Sequence, residues 1–310
     1  MTSTLVFHSQ FDSFEEWRGL LAPLLPGVRI RQAEDVEEPD TVHYALAWKA
    51  PPGFFAGYTN LKLLVNLGAG VDSLVGRDDL PAVPITRISD PDMGRMMASY
   101  VLFAVLRYAR DIPAFERAQR ERRWHYLHPR LPSSMRVGVL GLGELGACAA
   151  LELARQGFDV RGWSRSEKQL DTVTCVHGLE RLDGFLASSD ILVVMLPLTA
   201  QTRGLLNAER LARLPAGSSL INVSRGAVID QQALTAALAT GRLGAATLDV
   251  FDREPLPPED PLWALDNVLI TPHMASIAIP ATAAAQIAEN IRRLNQGEPV
   301  LHRVDPDRGY

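Results

Sequence analysis

The segment MRVGVLGLGELGACAALELARQGFDVRGWSR, residues 135–165, constrains this chain more than any other. A short apolar run is followed by Gly141, Gly143 and Gly146 in G-x-G-x-x-G spacing, then by Ala and Leu at helical intervals up to Gly157, then by a second apolar run. That pattern predicts a strand, a helix and a second strand, with the fingerprint of a dinucleotide site at the first turn. Gly141 permits the tight turn, Gly143 lets the backbone approach a pyrophosphate, and Gly146 allows close packing of helix on strand. Amides at the helix start, those of Glu144 and Leu145 among them, face the phosphates. A glycine triplet alone is weak evidence. Here the strand before it and the amphipathic helix after it supply the context that the motif needs.

The end of the second strand bears on which dinucleotide fits. An NAD site usually carries an acid about 20 residues after the glycines to hold the ribose hydroxyl, and this chain reads Trp163-Ser164-Arg165-Ser166 there. A 2′-phosphate calls for a cation and small donors, which Arg165, Ser164 and Ser166 offer, with Lys168 close by. NADP(H) is therefore the expected cofactor, with NAD(H) less preferred.

Three polar residues stand out in the second half: Arg225 in INVSRGAVID, Glu254 in LDVFDREPLP and His273 in LITPHMAS. Each follows an apolar run that reads as a buried parallel strand, and side chains just past the carboxyl ends of such strands share one crevice. A cation, a carboxylate and an imidazole suit reduction of a carbonyl beside a carboxylate. Arg225 would grip both groups, His273 would supply the proton, and Glu254 would hydrogen-bond the imidazole and favour its charged form.

The 310 residues, 47% of them hydrophobic, suffice for two domains. A formal charge of −5 gives no basic field for nucleic acid or an anionic membrane and leaves a small molecule as the partner. Cys148 and Cys175 show no metal-ligand or disulfide pattern and read as small apolar fillers. The N-terminal MTSTLVFHSQFDSF lacks the marks of a leader, and no segment sustains a membrane span, so a cytoplasmic location is expected. Strands TLVFH, VRIR, YALAW, LKLLVNLG and VPITRI alternate with a helix at FEEWRGLLAPLL as a small doubly wound unit. A long helix from about Arg95 follows, with a break available at Pro113. The cofactor unit then runs through VRGW, ILVVMLP, LINV, TLDV and VLIT, and a last helix, ATAAAQIAENIRRLNQG, suits a return to the first unit. The fold class is α/β with two doubly wound domains. A Rossmann-type cofactor domain, 96–276, is inserted in a smaller flavodoxin-like substrate domain, 1–95, completed by 277–310.

Together, VGVLGLGELG, LPLTAQTRGLLN, LINVSRGAVIDQQAL, ATLDVFDREPLPPEDPLW and ITPHMAS resemble the D-2-hydroxyacid dehydrogenase family. Within it, YALAWKAPP, LVNLGAGVDS, the proline-ended REPLPPEDPLW, PHMAS and the terminal VDPDRGY are similar to the glyoxylate/hydroxypyruvate reductase A type. The resemblance spans nearly the whole chain. It implies NADPH-dependent reduction of small 2-oxo acids such as glyoxylate and hydroxypyruvate, with Arg225, Glu254 and His273 as the catalytic set. It also implies that Gly68, Ala69 and Gly70 present amides to the substrate carboxylate, a role that a nest would fit and that a plain turn would not need. Asp249 would meet the nicotinamide carboxamide, and Leu196, Pro197 and Thr202 would line the adenosine side. Trp48 would wall the substrate pocket or serve as core. Met93, Gly94 and Met97 lie where relatives approach the nicotinamide, yet Ser99 stands where they usually carry an acid. Homodimers built through the cofactor domains are implied as well, and ERRWHYLHPRLP, with Trp124 and Tyr126, would be such an interface or a solvated loop. Two alternatives stay open: a bulkier 2-oxo acid or an NAD-linked reaction, and a dinucleotide-sensing corepressor-like protein.

Overall fold

The computed structural model describes residues 3–74 and 77–305; Val75, Gly76 and the last five residues of the terminal VDPDRGY lie outside them. The chain forms two compact units, one of residues up to Met93 with those from Ile277 onward, the other Gly94–Ser276.

The first unit carries strands β1 (Ser3–His8), β2 (Val28–Gln32), β3 (Val42–Ala47), β4 (Leu63–Asn66) and β5 (Ile85–Arg87), with helix α1 (Phe14–Leu21) after β1. They form one parallel sheet in the order β2-β1-β3-β4-β5, the flavodoxin-like order. The inner strand β4, LLVN, is buried along its whole length, which is why it reads as an apolar run and not as an alternation. The Ser13 hydroxyl caps α1 by accepting from the Glu16 amide at 3.4 Å, and the helix buries Trp17 and Leu21.

Helix α2 (Pro91–Ala109) is followed by α3 (Ile112–Arg120). The break expected at Pro113 falls instead at Arg110–Asp111, where Asp111 adopts a φ of 54°. Pro113 lies in the first turn of α3, where its fixed φ and missing N–H cost nothing. The second unit continues with β6 (Arg136–Leu140), α4 (Glu144–Arg155), β7 (Asp159–Ser164), β8 (Thr174–His177), α5 (Leu182–Ala187), β9 (Ile191–Val194), α6 (Ala208–Leu211), β10 (Ser219–Asn222), α7 (Gln231–Ala239), β11 (Ala245–Leu248) and β12 (Val268–Ile270). Its parallel sheet runs β12-β11-β10-β9-β6-β7-β8, a Rossmann order extended by one strand. Edge strand β8 has no apolar run to announce it, because none of its four residues is buried. Successive residues of the inner strands feed opposite faces: Val137, Val139, Ile191 and Val193 join one core with α2 and α4. Leu140, Leu192 and Val194 join the other with α5 and α7. The last helix, α8 (Pro280–Asn295), belongs to the first unit and packs on α1. Among the described residues, no helix is long and apolar enough to cross a membrane.

Candidate active site

Because every strand of the second sheet is parallel, the carboxyl ends of β6, β9, β10, β11 and β12 open on one edge, and the strand order reverses between β6 and β9. The glycine loop follows β6. Gly141 has a φ of +115°, and a Cβ there would stand 2.7 Å from the Met195 carbonyl oxygen. A Cβ on Gly146 would stand 1.9 Å from the Gly141 carbonyl oxygen, so α4 can meet the loop only through glycine. Gly143 differs: nothing lies within 4 Å of the Cβ it lacks. It is the N-cap of α4, and its open side faces space where the helix amides of Glu144 and Leu145 begin. That cradle fits a pyrophosphate, which would receive amide hydrogen bonds and the positive end of the helix.

At the end of β7, Ser164 is buried and donates its hydroxyl to the Ser166 carbonyl at 2.7 Å, while Arg165 and Ser166 are exposed. Ser164 therefore shapes the turn, since its proton is already given, and Arg165 and Lys168 are exposed cations of the same loop. Beyond β9, Leu196 is buried, and the Thr202 hydroxyl donates to the Pro197 carbonyl at 2.6 Å, which gathers the three expected adenosine-side residues into one turn.

Arg225 follows β10. The Asn222 side chain, 2% exposed, donates to the Arg225 carbonyl at 3.1 Å and accepts from the Ser224 amide and hydroxyl at 3.1 and 2.8 Å, which fixes the turn. The Arg225 guanidinium, half-buried, donates to the Ser224 carbonyl at 2.6 Å. A Cβ on Gly226 would stand 1.9 Å from the Phe251 carbonyl carbon, so the turn after β10 lies directly on the one after β11. That second turn carries Glu254, whose Oε1 accepts from the Phe251 amide at 3.1 Å and whose Oε2 meets His273 Nδ1 at 2.9 Å. A carboxylate only accepts, so Nδ1 carries the proton and Nε2 is turned away from Glu254.

His273 holds a φ of 54°, a left-handed conformation that costs a residue with a side chain about 1–2 kcal/mol. Asp249 compensates. Its carbonyl accepts from the His273 amide at 2.8 Å, and its carboxylate accepts from the Met274 and Ala275 amides, both at 2.9 Å. Asp249 is 1% exposed.

In the first unit, Trp48 is half-buried just past β3, and its ring lies against Gly68: a Cβ there would be 2.4 Å from the indole. Gly68 is thus required for space and has no left-handed φ, which departs from the glycine-permitted nest expected from sequence. The fully buried Asn66 was missed at the sequence level. Its Nδ2 donates to the Gly68 and Gly70 carbonyls, both at 2.8 Å, and among the described residues none of the amides of Gly68, Ala69 and Gly70 has a protein acceptor. Buried Met97 belongs to the core of the second unit, and Gly94 packs near the Cys148 sulfur. The Ser99 hydroxyl is given to the Met96 carbonyl of its own helix at 2.9 Å. Asn222 was missed as well, and for both the available signal is a polar residue closing an otherwise apolar strand.

Residues 102–275 match the NAD binding domain of D-isomer specific 2-hydroxyacid dehydrogenase. The chain is 40% identical over 312 residues, 99% of each protein, to the glyoxylate/hydroxypyruvate reductase A of Serratia proteamaculans (strain 568). It superposes with a TM-score of 0.95 and 64% identity, over 100% of both chains, on a D-isomer specific 2-hydroxyacid dehydrogenase from Xanthobacter autotrophicus Py2 in complex with NADPH and MES. On the NADPH-dependent glyoxylate/hydroxypyruvate reductase of Sinorhizobium meliloti, in complex with NADP and sulfate, the values are 0.93 and 35%, over 99% of this chain and 100% of the other.

Proposed function

The chain belongs to the D-isomer specific 2-hydroxyacid dehydrogenase family, and we propose that it reduces small 2-oxo acids, glyoxylate and hydroxypyruvate foremost, with NADPH as the reductant. The observation that carries this reading is the 2.9 Å pair of His273 Nδ1 and Glu254 Oε2 at the strand edge that also bears Arg225 and the glycine cradle. NADPH, when bound, supplies the hydride. His273 gives its Nε2 proton to the oxygen of the carbonyl as charge develops there, and Glu254 holds the ring and balances the imidazolium before that transfer. Arg225 receives the substrate carboxylate in a two-pronged contact and polarises the adjacent carbonyl. Gly68, Ala69 and Gly70, two of whose carbonyls are tied down by Asn66, have amides with no protein acceptor among the described residues, which suits them to a carboxylate. The exposed Arg165 and the cofactors bound by the two structural relatives support NADPH over NADH. Trp124 and Tyr126, 98% and 69% exposed, suit a contact with a second copy of the chain.

The test is a steady-state panel of glyoxylate, hydroxypyruvate, pyruvate and phenylpyruvate, each with NADPH and NADH, on the wild type and His273→Ala. The two small substrates with NADPH should lead. His273→Ala should lower kcat by about 10² to 10⁴ while NADPH affinity holds. Preference for phenylpyruvate or for NADH, or full turnover in His273→Ala, would refute the respective part of the reading.

A further inference from the structure

His273 does not hold its left-handed turn alone, and the support reaches from Asp249 through Thr271 to helix α2. The Thr271 hydroxyl lies 2.6 Å from Asp249 Oδ1, and the Tyr100 hydroxyl of α2 lies 2.5 Å from the Thr271 oxygen. The direction of these bonds follows from chemistry. A carboxylate can only accept, so Thr271 donates to Asp249; its one proton is then spent, so Tyr100 must donate to Thr271. Burial and the neighbouring Asp249 carboxylate push the Tyr100 phenol up to about 12, against the weaker lowering effect of its bond to Thr271, so it stays a donor throughout the working pH range. The Thr271 amide meanwhile donates to the Leu248 carbonyl at 3.0 Å, which extends the pairing of β11 with β12 up to the turn. Asp249 thus receives Thr271, His273, Met274 and Ala275, four groups of one five-residue stretch, and Tyr100 secures the first of them from a helix.

We propose that Tyr100 and Thr271 are positioning residues for His273: the one-way chain from Tyr100 through Thr271 to Asp249 fixes the turn that aims the imidazole at Glu254. Asp249, on this view, acts first on the histidine turn, because three of its acceptor positions are occupied by the protein itself. The reacting groups gain from this because a histidine in a strained backbone conformation would otherwise relax, and a displacement of about 1 Å can lower turnover by about 10²-fold.

The experiment uses the full chain with Thr271→Val, which keeps the shape and removes the hydroxyl, Thr271→Ser, which restores it, and Tyr100→Phe, which removes only the phenol oxygen. Three quantities are read: the NADPH Kd by fluorescence titration, kcat with 2-oxo acid and NADPH saturating, and solvent exchange of the His273 Nδ1 proton by NMR on protein labelled with ¹⁵N-histidine. The His273 signal is assigned by its disappearance in His273→Ala. Thr271→Val should lower kcat by about 10- to 100-fold, and Tyr100→Phe by a smaller factor. Thr271→Ser should remain near the wild type, and NADPH Kd should stay within about twofold throughout. The Nδ1 proton should exchange faster in Thr271→Val and Tyr100→Phe than in the wild type or Thr271→Ser. Unchanged kcat and exchange alongside a lowered Tm would overturn the proposal in favour of a purely structural contact. A weakened NADPH Kd with kcat retained would assign the chain to cofactor binding instead. The kinetic part rests on the reductase reading, whereas the proton exchange does not. A wild type inactive on every 2-oxo acid would sink that reading and still leave the positioning of His273 decided by NMR.

Discussion

Replacing Gly143 by alanine should separate cofactor binding from folding. Its backbone, with φ −70° and ψ −170°, is open to any L residue, and the added methyl would meet no atom within 4 Å. Two effects on the unliganded protein oppose each other. Alanine lowers the entropy of the unfolded chain, worth about 0.4–1 kcal/mol, but is a poorer N-cap than glycine by roughly the same amount. The melting temperature without cofactor should therefore hardly move. With cofactor the methyl occupies the approach to the pyrophosphate and forfeits at least one charge-assisted bond, about 1.5–3 kcal/mol or roughly 10- to 150-fold in Kd. At NADPH near 100 times the wild-type Kd, bound ligand stabilises by about 2.7 kcal/mol; a hundredfold weaker site retains about 0.4 kcal/mol. The lost 2.3 kcal/mol or so corresponds to about 5–9 °C of the NADPH-induced rise for a unit of this size. Gly146→Ala is the contrasting control, because its methyl would overlap the Gly141 carbonyl oxygen at 1.9 Å and should lower the melting temperature with or without NADPH. Thermal melts of the three proteins with and without NADPH decide the matter. An undiminished NADPH shift in Gly143→Ala would show that the pyrophosphate does not use this cradle.

Arg225→Lys should cost at least about 100-fold in kcat/KM, because a point charge cannot replace a planar fork; near-wild-type kinetics would leave only a general cationic effect. Arg165→Ala should weaken NADPH by roughly 10- to 150-fold and spare NADH, read as the ratio of catalytic efficiencies, and a ratio indifferent to the change would place the phosphate elsewhere. In the first unit, bonds from Arg77 at 2.7 and 2.8 Å hold the Asp79 carboxyl at about 2 against an ordinary 3.8, worth at most about 2 kcal/mol. The folded value is depressed, so this stabilisation is complete above about pH 4 and is lost as pH falls from about 4 towards 2. Asp79→Asn should accordingly lose about 1 kcal/mol less than the wild type between pH 6 and pH 3 in urea unfolding, and parallel losses would refute the assignment.

What could be read from sequence follows from how each element is stabilised. Strands β4, β9, β10 and β11 are fully or almost fully buried, so their residues are constrained to be apolar and they announce themselves as runs. Strand β8 lies at an edge with exposed residues, so no such constraint acts and nothing in TCVH marks it. The same logic divides the candidate site. Gly141 and Gly146 are legible because steric exclusion leaves one residue type, and Arg225, Glu254 and His273 because each follows an apolar run whose carboxyl end opens on the same edge of a parallel sheet. Gly68 looks like a conformational glycine and is a steric one, since the indole that excludes a side chain comes from Trp48, twenty positions earlier, and only the folded chain brings the two together.

The supporting polar residues were hidden for a different reason. Asn66, Asn222 and Thr271 each end or follow a strand and could pass for ordinary turn formers. Their partners are carbonyls, amides and a carboxylate whose positions depend on the turn itself. Tyr100 is harder still, since it sits on a helix whose apolar spacing explains it as core, and its partner Thr271 is 171 residues away. A side chain that acts through another is constrained by geometry and not by its own chemistry, so a residue-by-residue reading finds the groups that would touch substrate and passes over those that aim them. In this chain the division runs through a single turn: His273 is visible as one of three polar residues that follow apolar strands, while the left-handed backbone that directs it rests on Asp249, which the family resemblance assigns to the nicotinamide, and on Tyr100, whose own spacing marks it only as core.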